Sequence, residues 1–386
     1  NMTKIIPYGN FFIDKKDIFE VNKSLKNEFI TSGPYVKKLE DLAKNKLNVS
    51  HSISCSSGTA ALHLAFLSLN LKKNDVVIMP IINFIASTNI LNFMDIKVFY
   101  ADVDEHTGQM TPKTIQECIR KNKIKKIKVI LTMYLGGSPD NIIGIYKLKR
   151  KYKCFIIEDA CHALGAKYIY NNKINFIGSC KHSDLCTFSF HPLKSITSGE
   201  GGLITTNKKF LSERIKLYRS HGLIKKSHWQ YNLKTPGLNY RLSDINCALA
   251  YSQLKKINTF IKKREKIAKK YNLYFNNYSN FFSVRKLEKN TKSAWHLFLL
   301  KIEFNKLKSD INSLISYLKK KKIIVQQHYT PIYKFDYYKK INKKYFSGAE
   351  KYFSTTLSLP IFYNLNEKSL KRVFNEIKLF TLNNEK

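Results

Sequence analysis

From Gly33 to about Thr206 the chain alternates strand-length apolar runs with segments of helical period, and no other feature narrows the possible folds as much. His51–Cys55, Val76–Met79, Lys97–Tyr100, Val129–Met133 and Phe155–Ile157 read as strands. Gly33–Leu47, the Ala/Leu-rich stretch ending at Leu69, Phe84–Phe93, Pro112–Lys121 and Ile142–Tyr152 read as helices, the first with Pro34 just inside its start, where the missing N–H costs nothing. Parallel strands need such crossovers, and short all-apolar strands need cover on both faces. The expected fold is therefore α/β with a mostly parallel central sheet.

Leu185–Phe190 and Gly202–Thr206 read as strands flanking a loop, with helices over Lys209–Ser220 and Ser243–Asn272. Beyond about residue 275 the order changes: a strand over Trp295–Phe304, a helix over Leu307–Lys322, a strand over Ile323–His328 and a closing helix over Glu367–Phe380. The expected division is a large domain over 1–260, its N-terminal segment packed on the smaller one, and a small C-terminal α/β domain over 261–386. No Gly/Ser/Pro-rich linker separates the two, so they should share an interface.

Composition bounds the partners. Lys plus Arg number 67 against 28 Asp plus Glu, a net charge of +39 on 386 residues, while a 44% hydrophobic content rules out wholesale disorder. The basic clusters Arg120–Lys128, Lys255–Lys270 and Lys319–Lys322 read as solvated faces; in the second, Leu254, Ile257, Ile261, Ala268 and Tyr271 recur at helical spacing. A nucleic-acid groove would favour arginine forks and interleaved aromatics, so no nucleic-acid partner is expected. No apolar run approaches the roughly 18 residues that span a bilayer. Asn1-Met2-Thr3-Lys4 carries no charged-then-apolar signal, so a cytoplasmic protein is expected. The seven cysteines are scattered and never spaced C-x-x-C, which suits reduced, mostly buried thiols and no metal site.

Three segments stand out. The densest runs from Thr187 to Gly202, where Gly199, Gly201 and Gly202 fall beside Lys194 and several hydroxyls. Glycine lets backbone approach a ligand, and a lysine between apolar neighbours loses basicity and becomes a nucleophile. A plain loop with a surface lysine would have the same spacing. The second is Ser57-Gly58-Thr59-Ala60-Ala61, where a strand ends and a helix starts. Its free amides and hydroxyls could cradle a phosphate or merely cap the helix, and it is not a P-loop. The third is Glu158-Asp159-Ala160-Cys161-His162-Ala163. Carboxylates at the carboxyl edge of a parallel strand stand where α/β sheets bind ligands, and an acid there would keep a heteroaromatic nitrogen protonated. The plainer alternative is a capping acid beside a half-buried histidine.

Phosphate cradle, acid and lysine, in that order on an α/β chain, resemble the pyridoxal-phosphate (PLP) enzymes of the aspartate-aminotransferase fold, fold type I. Within them the chain is most similar to the nucleotide-sugar aminotransferases of the DegT/DnrJ/StrS family. Ser57–Leu62 matches that family's S-G-T-x-A-L, Glu158–Ala166 its E-D-x-A-Q/H-x-x-G-A, Ser189–Lys194 its S-F-x-x-x-K and Gly199–Gly202 its G-E-G-G. Cys161 departs from the pattern, standing where the family usually has alanine. Arg219–Gly222, Gly237–Leu242 and His328–Tyr333 also resemble family segments, so the likeness covers nearly the whole chain. His162, Ser189–Thr197 and Gln326–Tyr333 are most like the family's pseudaminic acid branch, from which Gly199 departs, alanine being usual there.

The resemblance implies roles. Lys194 would be the Schiff-base lysine and proton shuttle, Asp159 the partner of the pyridine nitrogen, and His162 a neighbour of the ring's phenolic oxygen or face. Phe84 would stack on the ring, and Ser57, Gly58, Thr59 and Ser189 would surround the phosphate. Asn239 matches an asparagine that completes the phosphate site from the neighbouring subunit, which implies a homodimer. His191, Arg241, His328 and Tyr329 are candidates for substrate binding, and Arg241, Arg219 and His328 for the donor carboxylate. The reaction implied moves the amino group of L-glutamate to C4 of a UDP-linked 4-keto-6-deoxy-N-acetylhexosamine, in pseudaminic acid biosynthesis. Alternatives are another 4-keto nucleotide sugar, of the perosamine or bacillosamine type, and a non-enzymatic basic binding protein on the same fold.

Overall fold

A computed structural model describes residues 4–386. Nine strands form in the first part: β1 (His51–Cys55), β2 (Val76–Pro80), β3 (Lys97–Ala101), β4 (Val129–Met133), β5 (Phe155–Asp159), β6 (Lys167–Tyr170), β7 (Lys173–Phe176), β8 (Leu185–Ser189) and β9 (Gly202–Thr206). Seven of them make the central sheet in the order β1-β9-β8-β5-β4-β2-β3, parallel from β8 through β3, with β9 antiparallel to both its neighbours. Every side chain of β4 is buried, as a strand covered by helices on both faces requires. The helix Gly58–Ser68 buries eight of its eleven residues against the sheet. This matches the mostly parallel α/β expectation.

The remaining strands are β10 (Leu223–Lys225), β11 (Tyr231–Leu233), β12 (Phe282–Val284), β13 (Thr291–Lys292), β14 (Phe298–Ile302) and β15 (Thr356–Leu359). The sheet β12-β14-β15, with helices Ile311–Lys320 and Glu367–Asn383, gathers a second core around Tyr271, Phe275, Phe298, Leu300, Leu357 and Ile377. The N-terminal segment joins it: Ile6 is part of that core and bridges Ile323, and the Ile361 amide donates to the Tyr8 carbonyl at 3.2 Å. Residues 260 and 261 lie within the helix Ile257–Asn276, which runs from one core into the other; Ile257 and Phe260 pack in the first, Tyr271 and Phe275 in the second.

Several expected elements differ. The helix expected over Ser243–Asn272 breaks at Lys256 into Asp244–Lys255 and Ile257–Asn276. The Lys256 amine is drawn to Asp14 and Asp17, at 2.9 and 2.7 Å. Ile323–His328 is not a strand but runs between two isolated bridges, to Ile6 and Ser358. The hairpin β6–β7 turns on Asn171-Asn172, both left-handed, a tight-turn signal that the sequence carries. The basic stretch Lys255–Lys270 is not wholly a wet face. Arg264 is buried and donates to the carbonyls of His296 and Ile361, at 3.2 and 2.8 Å, and burial lowers its pKa to about 10. All seven cysteines are free thiols. Among the described residues no helix is long and apolar enough to cross a membrane.

Candidate active site

Because β1, β4, β5 and β8 run the same way, their carboxyl ends meet at one edge of the sheet, and the three singled-out segments follow β1, β5 and β8. They line one cavity of about 330 Å³, within the usual size of small-molecule sites. Ser57, Gly58, Thr59, Phe84, Asp159, His162, Ser189, His191, Lys194, His328 and Tyr329 all reach it. Asn239 and Arg241 do not. A groove of about 400 Å³ beside β3 contains none of these residues.

Ser57 caps the helix Gly58–Ser68, its hydroxyl accepting from the Ala60 amide at 3.0 Å. The capping alternative therefore holds for that hydroxyl, while the first amides of the helix remain without intrahelical partners. Gly58 has no room for a side chain: a Cβ there would lie 2.7 Å from Ser189 Cβ. The glycines of the Gly199–Gly202 run serve the protein's own packing more than a ligand. A Cβ on Gly202 would collide with the Ser57 carbonyl, and one on Gly201 with the Ser198 hydroxyl.

Asp159 ends β5 almost fully buried, one carboxylate oxygen accepting from the Cys161 amide at 3.2 Å. Burial raises its pKa above the ordinary value. Lys194 follows β8 in a short turn, its amide donating to the His191 carbonyl at 2.9 Å, and burial lowers the pKa of its amine while Cys161 and Asp159 oppose the shift. Glu158 takes no part: strand alternation turns it to the other face, where the Tyr134 hydroxyl donates to it at 2.7 Å.

The opposite wall carries neutral polar groups. His162 is buried, its ring 4.2 Å from that of His296, and its Nε2 lies 2.8 Å from the Tyr329 hydroxyl. Burial, with Lys194, His296 and His328 nearby, holds its pKa well below the usual imidazole value. His328 Nδ1 lies 2.8 Å from the Ser358 hydroxyl. Phe84 is 53% exposed at the mouth, its ring 5.7 Å from that of Tyr329. His191 is exposed there too. Arg219 lies outside the cavity, its Nη1 donating to Glu40 at 2.9 Å and to the Ser54 carbonyl at 2.8 Å. Asn239 is exposed and Arg241 half-buried, both outside the cavity. Tyr8 and His296, which no motif singled out, also line it.

A half-buried lysine and a buried aspartate over the ends of parallel strands, beside a helix start, are the arrangement of fold-type-I PLP-dependent aminotransferases. Residues 12–378 match the DegT/DnrJ/EryC1/StrS aminotransferase family, and the chain belongs to it. It is similar to the UDP-4-amino-4,6-dideoxy-N-acetyl-beta-L-altrosamine transaminase of Campylobacter jejuni, 36% identical over 96% of each chain. It is similar also to the GDP-perosamine synthase of Escherichia coli O157:H7, 30% identical over 98% of this chain and 99% of that one. Among solved structures, Helicobacter pylori PseC, an aminotransferase involved in the biosynthesis of pseudoaminic acid, superposes with a TM-score of 0.89 at 28% identity. That superposition covers 98% of this chain and 100% of the other.

Proposed function

We propose that this aminotransferase uses PLP to move the amino group of L-glutamate to C4 of a UDP-linked 4-keto-6-deoxy-N-acetylhexosamine. The product is UDP-4-amino-4,6-dideoxy-N-acetyl-L-altrosamine, made in the cytoplasm for pseudaminic acid. The observation that carries the reading is that half-buried Lys194 and buried Asp159 line one cavity, with no direct ion pair between them among the described residues. The residues fit the cofactor. Asp159 makes no direct ion pair among the described residues, a place that a protonated pyridine nitrogen would take, and the start of helix Gly58–Ser68 offers free amides to a phosphate. The altrosamine transaminase likeness supports the sugar.

PLP when bound supplies an electron sink for the carbon that gains or loses a proton. The Lys194 amine, its basicity lowered by burial, carries that proton. Asp159 would hold the cofactor nitrogen protonated, Gly58, Thr59 and Ser189 would grip its phosphate, and Phe84 would cover the mouth. His191, His328 and Tyr329 face the substrate. In the same reading residues 1–260 form the cofactor-binding domain and 261–386 the smaller one. The chain works as a homodimer, in which Asn239, outside its own cavity, reaches the partner's phosphate site, while Arg241 is a candidate for binding substrate. Leu223, Ile224, Trp229, Tyr231 and Leu233 on the β10–β11 hairpin, exposed here, would then be covered.

Visible absorbance of the purified protein with PLP is the test. A yellow band that bleaches with L-glutamate and returns with the keto-sugar nucleotide supports the reading; no band overturns it. The likeness to a perosamine synthase favours a second reading, amination of a different 4-keto nucleotide sugar. Returning the band with a panel of such substrates separates the two.

A further inference from the structure

One backbone group sets the direction of the hydrogen bonds along the neutral wall. The Gly136 amide can only donate, and it meets His162 Nδ1 at 3.3 Å. Nδ1 is therefore the acceptor, and the ring proton sits on Nε2. At 2.8 Å from Nε2, the Tyr329 oxygen is then an acceptor in turn. Its own O–H must point elsewhere. Among the described residues the Tyr329 hydroxyl has no hydrogen-bond partner other than His162, and Tyr329 lines the cavity.

The amide that starts this order is firmly held. Gly136 lies in the turn Leu135–Gly137, and its carbonyl accepts from the Leu297 amide at 3.2 Å. Arg285 donates to the neighbouring Leu135 carbonyl at 2.7 Å and to Asp140 at 2.6 Å. The imidazole is surrounded by groups that oppose a second proton: Lys194, His296 and His328 all face it.

We infer that the Gly136 amide, His162 and Tyr329 form a one-way hydrogen-bond relay that presents the Tyr329 O–H to the cavity as donor to an oxygen of the bound reactants. Accepting from His162 strengthens Tyr329 as a donor, because hydrogen bonds in series polarise one another. This deepens the proposed function and rests on that cavity being the reaction site.

Nitrogen NMR of the cofactor-free chain labelled with ¹⁵N-histidine tests the first link without any turnover. The signal that disappears in His162→Gln should show a protonated Nε2 and a bare Nδ1, unchanged as the pH falls through the usual imidazole value of about 6.5. A proton on Nδ1, or an imidazolium at neutral pH, overturns the relay. The second link is read in single-turnover half-reactions with glutamate and with the keto-sugar. Tyr329→Phe should slow one or both by about 10²-fold, as losing a positioned donor does.

Glutamine keeps the order of the relay, Oε1 accepting from Gly136 and Nε2 donating to Tyr329, whereas leucine has neither group. His162→Gln should therefore stay within several-fold of wild type and His162→Leu should fall with Tyr329→Phe. Wild-type rates in Tyr329→Phe, or equal losses in the glutamine and leucine variants, overturn the proposal. Failure of the wider functional reading would appear differently, as absence of turnover in the wild type with the nitrogen spectrum unaffected.

Discussion

The two walls of the cavity are built on different plans. One wall comes from the ends of β1, β5 and β8 and holds the charges: Asp159, whose acid burial pushes up, and Lys194, whose amine burial pushes down. The other brings Tyr8, His296, His328 and Tyr329 from segments far apart in the chain and is neutral, its imidazoles kept unprotonated by burial. Burying an unpaired charge is costly, whereas a buried neutral imidazole needs only a hydrogen-bond partner. The first wall thus holds two opposite charges that burial disfavours; on the second, His162 and His328 have hydrogen-bond partners and His296 Nδ1 has none. In the proposed reading, chemistry belongs on the first and orientation on the second.

Substitutions on the charged wall should therefore have the larger effects. Lys194→Ala should lower transamination by about 10⁴-fold or more, since it removes the amine proposed both to bind the cofactor and to carry the proton. Turnover rates with glutamate and keto-sugar measure it, and a loss no greater than that of Tyr329→Phe would break the distinction between the walls.

Behind the turn that holds Gly136, Arg285 pairs with Asp140 at 2.6 Å, both side chains 7% exposed, and donates to the Leu135 carbonyl. Asp140→Ala should cost about 3–5 kcal/mol of stability by leaving the guanidinium buried and unpaired, measured by denaturant unfolding. Gly58→Ala should cost about 1–3 kcal/mol through the clash with Ser189, and weaken PLP binding in a spectroscopic titration.

The smallest effect sharpens the comparison most. An unfolded lysine titrates near 10.4, while the pKa of Lys194 in the folded chain lies below its ordinary value. Between those two values the unfolded chain binds more protons, so stability rises with pH; below the folded value the penalty is present in full, and above the unfolded value it is gone. Lys194→Met should accordingly raise the Tm of the cofactor-free protein at neutral pH, with the gain closing as pH rises towards about 10.5. A lower Tm in that variant would show that the lysine is not under burial stress.

Much of the cavity was legible because many of its residues sit in short contiguous segments. Ser57-Gly58-Thr59, Asp159 to His162 and Ser189 to Lys194 each follow a strand, and strand direction alone brings their ends together. Other features were not legible. The exposed Asn239 and the committed Arg219 look equally available in the sequence, and only the Glu40 and Ser54 contacts distinguish them. The burial of Arg264 was hidden in a lysine-rich stretch, because helical period shows which residues share a face but not which part of the helix another unit covers.

The sequence by itself determined the alternation that makes the sheet mostly parallel, the turn chemistry and the order of cradle, acid and lysine, since each depends on residues within a few positions of one another. Tertiary structure alone decided that His162 meets Tyr329, 167 positions away, that Gly136 sets the ring's tautomer, and that Tyr8 and His296 close the cavity. Contacts between residues so far apart follow from how two cores share one helix and one buried ion pair, and no local pattern encodes that packing.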